Sequence, residues 1–462
     1  MRKYIEVDRK KLSSHLKPPL EQKHSQNLNS NETGNIDSRP TKQPNEVEEY
    51  NRAKQHEQEI NANKNAAEHY AKKAYTLKVL GKYDEAIDNY IQAIQLNDKK
   101  ASYYFERGEV YSYIDKVNEA IQDYSQAIHL DSHNALYYCC RGLLYDKYAY
   151  FDNAIKDFIK AINLAPEASY YYYRGDTYKH IFKYKKAVDD YTKAISLNGS
   201  KAEFYYSRGT AHYGMQSYDL AIADYTFASQ LAPNEHRYLL AIGNAFYAKS
   251  LYEKAIESYA LPIGLNCQDA YCYSKRGDAY VQLGRMEKAE KDYTRAIEID
   301  SNHSDYYYKR GKVFLSISQY DKAIADFTRA IELDNNKDKY YIERGNAYFK
   351  KGKYQKAVHD CSTAITINNS NIATYFYRGN AYKELGNQEA AKSDYLKAVS
   401  LKDKYYKNSY MINDECKNDC KDDIHTVNLI LSTINNLLYL NNTIFRMFHL
   451  NARRSRYSRY RR

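Results

Sequence analysis

Eight Arg-Gly pairs recur along this chain at nearly constant spacing, with glycines at Gly108, Gly142, Gly175, Gly209, Gly277, Gly311, Gly345 and Gly379. The intervals are 34, 33, 34 and 68 residues, then 34 three times. The double interval skips Gly243, which follows Ile242 instead of an arginine, and one period before Gly108 stands Ala74. A fixed period of this length means that one small supersecondary unit is stacked on copies of itself. No unit buries its apolar face alone, so each depends on its neighbours. The 462 residues therefore read as ten repeats, starting near Ala67, Ala101, Ala135, Ala168, Ala202, His236, Ala270, Ser304, Asp338 and Ile372.

Each repeat reads as two helices. Twelve residues after every repeat glycine, or Ala74, comes an alanine: Ala86, Ala120, Ala154, Ala187, Ala221, Ala255, Ala289, Ala323, Ala357 and Ala391. Four further on is an aromatic, with Cys361 as the exception; three beyond that is another alanine, with Pro262 as the exception. Spacings of four and three put these residues on one helical face. An aromatic four before the glycine (Tyr104, Tyr138, Tyr171) and another residue, usually aromatic, three after it (Tyr111, Tyr145, Tyr178) mark the first helix. Gly81, Gly284, Gly352 and Gly386 punctuate the turn between the halves, and Asn-, Asp-, Ser- or Pro-rich breaks separate the repeats.

A two-helix unit repeating every 34 residues or so resembles the tetratricopeptide family, over residues 67–401. The usual tryptophan of that family is tyrosine here. The resemblance implies an all-α, right-handed superhelical solenoid whose concave groove, lined by the first helices, binds peptides or helices of other proteins. By that geometry the candidate partner groove consists of Phe105, Glu109, Tyr172, Asp176, Tyr206, Tyr213, Asn244, Tyr247, Asp278, Tyr308, Asn346, Phe349, Phe376 and Asn380. Members that clamp chaperone carboxylate tails carry a lysine three before the small residue. No repeat here has one: the position holds Ala71, Phe105, Cys139, Tyr172, Tyr206, Leu240, Ser274, Tyr308, Ile342 and Phe376.

A second pattern belongs to this chain. Arginine precedes the repeat glycine in eight repeats, and in the same eight an aspartate follows sixteen residues later, from Arg107 and Asp123 to Arg378 and Asp394. Antiparallel helices bring such positions level, so they are expected to form ion pairs within each repeat. The sixth repeat lacks the pair and carries Pro262 in its second helix. Proline removes a backbone donor and clashes with the preceding turn. That helix is expected to end or kink near Tyr259 to Pro262, with the array loosening there into two stacks.

Outside the array, residues 1–50 read as disordered, 51–66 as a lead-in helix, 402–423 as a charged linker, 424–450 as an apolar or amphipathic helix, and 451–462 as an Arg-rich tail. The net charge of +11 is concentrated in that tail, since Arg446 to Arg462 carry seven arginines and no acid. The repeats are therefore not a nucleic-acid surface, although the Arg/Tyr tail suits RNA. Residues 424–445 are long enough to reach across a bilayer, but their asparagines favour a cap on the last repeat. No signal-peptide core is evident, the mean hydropathy is −0.82, and the seven cysteines read as reduced thiols. The expected placement is cytoplasmic, with export into a host cell without a cleavable signal as the alternative. His129, His133, Cys139 and Cys140 do not make a convincing metal set, and neither do Cys416 and Cys420. No phosphate loop, dinucleotide fingerprint or nucleophile elbow is present, so no enzyme activity, cofactor or metal is expected. The function expected is a protein-interaction scaffold. The alternatives are an RNA-associated factor using the tail and a membrane-tethered adaptor. An abundance of Lys, Asn, Ile and Tyr is similar to that of long arrays from intracellular bacteria, some of which act as secreted effectors on host proteins.

Overall fold

A computed structural model of the chain describes residues 44–264 and 269–409. Among these residues there are twenty helices and no strand. They divide into two compact units, one up to Ala165 and one from Pro166. The first unit holds α1 (Pro44–Val79), α2 (Tyr83–Leu96), α3 (Ala101–Tyr113), α4 (Val117–Leu130), α5 (Ala135–Lys147) and α6 (Phe151–Leu164). The second begins with α7 (Ala168–His180), α8 (Tyr184–Leu197), α9 (Ala202–Gly214), α10 (Tyr218–Leu231), α11 (His236–Ala248) and α12 (Tyr252–Gly264). It continues with α13 (Ala270–Gln282), α14 (Met286–Ile299), α15 (Ser304–Ser316), α16 (Tyr320–Leu333), α17 (Asp338–Lys350), α18 (Tyr354–Ile367), α19 (Ile372–Glu384) and α20 (Gln388–Ser409). Within each unit the two helices of a repeat pack together, and the second helix packs on the first helix of the next repeat. This is the expected all-α solenoid of helical hairpins.

The glycine has a steric reason. A β-carbon on Gly175 would lie 2.8 Å from the Tyr191 ring, and one on Gly311 would lie 2.7 Å from Phe327. The second helix presses its aromatic ring onto the bare backbone of the first, and the alanines around it are almost wholly buried. The turn inside each repeat is equally constrained. At all four punctuating glycines φ lies near +75°, and Asp115, Ala149, Phe182, Gln216, Ser250 and Ser318 adopt the same left-handed conformation without being glycine. The next amide then bonds back into the helix, as from Lys116 N to the Tyr111 carbonyl at 2.9 Å, which closes the helix end. Between repeats, Asp131, Asn198, Asp300, Asp334 and Asn368 each accept the amide two residues on, which explains the polar breaks.

Three sequence expectations need correction or extension. First, α12 does not end before Pro262 but continues to Gly264, with the proline fully buried. The proline has no amide hydrogen to offer the carbonyl one turn back, and it stands at the register that alanine fills in the other repeats. Second, the chain divides after Ala165 and not in the sixth repeat. The turn there, Ala165-Pro166-Glu167, has three residues where α4 and α5 are joined by four, and it has no Asn or Asp to accept the returning amide. The lone 33-residue interval was its signature. Third, α1 begins at Pro44 and runs unbroken into the first repeat, while α20 extends past Leu401 to Ser409. The segments expected at 424–450 and 451–462 lie outside the described residues, as does residues 1–43 of the N-terminal segment.

Candidate functional site: the faces of the first helices

All eight Arg–Asp pairs form. Each guanidinium donates from Nε and Nη2 to the two oxygens of one carboxylate, at 2.7 Å twice for Arg107–Asp123 and at 2.9 and 2.8 Å for Arg310–Asp326. The aspartates are buried. Burial alone would lower the Arg107 guanidinium, but its bonds to Asp123 outweigh burial and raise it. The third arm was not anticipated. Nη1 of Arg141, Arg208, Arg310, Arg344 and Arg378 donates to Ser125, Thr192, Thr294, Thr328 and Ser362 on the second helix of the preceding repeat. The hydroxyl directly after the repeat aromatic, or after Cys361 in repeat nine, was the available signal. These arginines thus join both the helices of a repeat and one repeat to the next.

The fourteen groove residues fall into three registers on the first helices. Three residues before the glycine stand Phe105, Tyr172, Tyr206, Tyr308 and Phe376. Their rings pack mostly inward. Tyr172 lies 5.0 Å from Phe204 and 5.8 Å from Tyr191, and Tyr206 and Tyr308 lie 5.2 Å from Tyr238 and Tyr340. Phe105 and Phe376 are only 6% and 3% exposed, so they join the core and offer a partner little surface. Four residues after the glycine stand Tyr213, Tyr247 and Phe349. Each is half-buried and packs edge-on or tilted against the first residue of its own second helix, Tyr218, Tyr252 or Tyr354, at 5.3–5.4 Å.

The register directly after the glycine holds the polar groups, and most are already engaged. Asp176 accepts from the Tyr191 hydroxyl at 2.7 Å, Asn244 from Tyr259 at 2.9 Å, Asp278 from Tyr293 at 2.8 Å and Asn380 from Tyr395 at 2.9 Å. Burial, and after it the neighbouring aspartate, raises the phenols of Tyr191 and Tyr293. Glu109 pairs with Lys78 of the previous repeat at 3.0 Å, and Asp278 with Lys309 of the next at 2.9 Å. Two further cross-repeat pairs, Glu203–Arg237 and Asp305–Lys339, are 34 residues apart, and opposite charges one period apart were their signal. Asn346 is the one member of this register whose second helix offers no phenol, because Cys361 replaces the ring.

Among the described residues no group of three or more His, Cys, Asp or Glu could hold a metal, and no helix is long and apolar enough to cross a membrane. Among the described residues, Cys139, Cys140, Cys272 and Cys361 are not in disulfides. Cys416 and Cys420 lie outside the described residues.

The family comparison agrees with this geometry. Models described as TPR repeat or tetratricopeptide repeat match residues 75–112, 115–147, 168–201, 206–263, 277–386 and 372–405. The chain belongs to the tetratricopeptide repeat family, a class of protein-interaction scaffolds. Among solved structures, it is similar to MamA at 25% identity, over 36% of this chain and 97% of that one, with a TM-score of 0.35. It is similar to a tetratricopeptide repeat protein from Parabacteroides merdae at 18% identity, over 54% and 98%, with a TM-score of 0.43. YrrB, described as having an unusual peptide-binding site, matches at 21% identity, over 40% and 95%, with a TM-score of 0.35. No protein of curated function matches.

Proposed function

We propose that this chain is a non-catalytic scaffold or adaptor that holds peptide or helical segments of other proteins on the faces of its first helices. The observation that carries the reading is the state of the polar register in the second unit. Amides and carboxylates there are held in fixed orientation by buried phenols, beside half-buried rings of Tyr213, Tyr247 and Phe349. Rigid aromatic and amide groups bind with little ordering cost. A dodecapeptide display library panned on the full chain tests this. Enriched peptides should lose at least tenfold in affinity for a Tyr213→Ala, Phe349→Ala double variant of unchanged helicity. They should weaken only modestly between 50 and 200 mM salt, unlike a phosphate-reading surface. An unchanged affinity would remove the reading.

The tail and the 424–445 segment support two other readings, RNA association and membrane tethering. Truncation after Asp423 separates them: a scaffold keeps its peptides, an RNA factor loses RNA, and a tethered adaptor loses its vesicle binding. The compartment we propose is the cytoplasm. Export into a host cell, by analogy of composition, is the second placement, and a translocation reporter fused to the chain tests it.

A further inference from the structure

The second-helix aromatic follows its partner. It is tyrosine where the residue after the repeat glycine accepts a hydrogen bond, as with Asp176, Asn244, Asp278 and Asn380. It is phenylalanine where that residue cannot accept: Phe158 goes with Leu143, and Phe327 with Lys312. Repeat nine alone sets an accepting amide, Asn346, against no aromatic at all, because Cys361 stands there. The thiol is buried and pushed up to about 12 by that burial, so it is a packing group and not an ionic one.

One turn before Asn346 lies Glu343. It is half-buried on the first-helix face, three residues before Asn346 on the same helix. Several carboxylates on these faces have a cation in contact: Glu109 has Lys78, Glu203 has Arg237, Asp278 has Lys309 and Asp305 has Lys339. Glu106, at the register of Glu343 in repeat two, and Asp338 instead accept from the Tyr90 hydroxyl at 2.6 Å and the Asn368 amide at 2.9 Å. Among the described residues Glu343 has no such ion pair, and Lys312 acts on it only at longer range. Burial raises its carboxyl, and its charge adds to the burial that pushes the Tyr377 phenol to about 12. A desolvated carboxylate without a contacting cation is costly, and a docking cation relieves that cost.

We propose that repeats eight to ten hold a docking site for one lysine or arginine side chain of a partner segment, with Glu343 as counter-ion and Asn346 bonding the segment's backbone. The proposal rests on the reading of the first-helix faces as peptide-binding. The same negative charge excludes a phosphate-bearing ligand from this site.

The probes are the dodecapeptides enriched on the full chain, labelled and titrated by fluorescence anisotropy. The enriched set should share a lysine or arginine, and replacing it by norleucine should weaken binding to the unchanged protein at least tenfold. Glu343→Gln should weaken the charged peptide by a similar factor and bind charged and norleucine forms alike. Cys361→Tyr, which restores the ring found in the other nine repeats, should claim Asn346 and weaken binding while keeping the thermal unfolding profile. If no peptide is enriched, the groove reading itself fails. If peptides are enriched without a basic residue, if Glu343→Gln keeps the charge preference, or if spermidine alone competes as well as the peptide, only this inference falls.

Discussion

Arg107→Ala strands a buried carboxylate. Asp123 retains 7% side-chain exposure and receives two bonds of 2.7 Å from a guanidinium that is 17% exposed. Removing one partner of a buried pair costs about 3–5 kcal/mol, and the residual exposure of the arginine points to the lower end, about 3 kcal/mol. At roughly 1.36 kcal/mol per factor of ten, that is about a 150-fold loss of amide-exchange protection. Repeat arrays open locally, so the loss should be read in α3 and α4 by hydrogen exchange, corrected for intrinsic rates, and not from a single global transition. The cost also depends on pH. Burial already raises the Asp123 carboxyl, against the downward pull of Arg107. Without Arg107 that burial acts unopposed, so the folded variant holds its proton more tightly than the unfolded chain. A raised acid contributes stability below its unfolded value, near 3.9, and loses it as pH rises through the folded value. The deficit of Arg107→Ala should therefore be about 3 kcal/mol at pH 7 and shrink towards about 1 kcal/mol near pH 4.5. Arg107→Met with Asp123→Leu removes both charges and should recover most of the loss. A deficit independent of pH, or a double variant worse than the single one, would refute the reasoning.

Three further outcomes follow from the packing. A β-carbon at Gly243 would lie 2.4 Å from the Tyr259 ring, but at Gly345 its nearest neighbours are the Cys361 sulfur at 3.2 Å and the Ala357 carbonyl oxygen at 3.4 Å. Gly243→Ala should thus destabilise by roughly 1–3 kcal/mol through overpacking. Gly345→Ala should be near neutral, because a helix favours alanine by about 1 kcal/mol; equal effects in thermal melts would contradict this. Cys361, pushed up to about 12 by burial, should resist iodoacetamide at pH 8 in the folded chain and react on unfolding, as mass spectrometry can follow. Tyr172→Ala should lower stability as well as any binding, since its ring packs on Phe204 and Tyr191, and an unchanged melting curve would show that those contacts matter little.

The period, the two-helix unit and the Arg–Asp pairs were legible in the sequence because each depends on local spacing repeated many times. The division after Ala165 was less so. Its only marks were a single missing residue and a turn without Asn or Asp, whereas Pro262, the more conspicuous break in the pattern, lies inside α12, which continues to Gly264. The groove was legible as a set of positions but not as a surface. Family geometry places Phe105 and Asp176 alike on the first-helix face, yet Phe105 is buried and Asp176 is bonded to Tyr191. That engagement depends on a phenol fifteen residues away on another helix. Correlating tyrosine against phenylalanine with the residue after the glycine would have exposed it.

Hydrogen-exchange footprinting of the full chain, with and without an enriched dodecapeptide at saturating concentration, tests the central claim most directly. The scaffold reading predicts added protection in the first helices of the second unit, foremost α15, α17 and α19, with α16 and α18 unchanged. Protection confined to the second helices or to residues beyond Ser409, with the first helices unaffected, would contradict it.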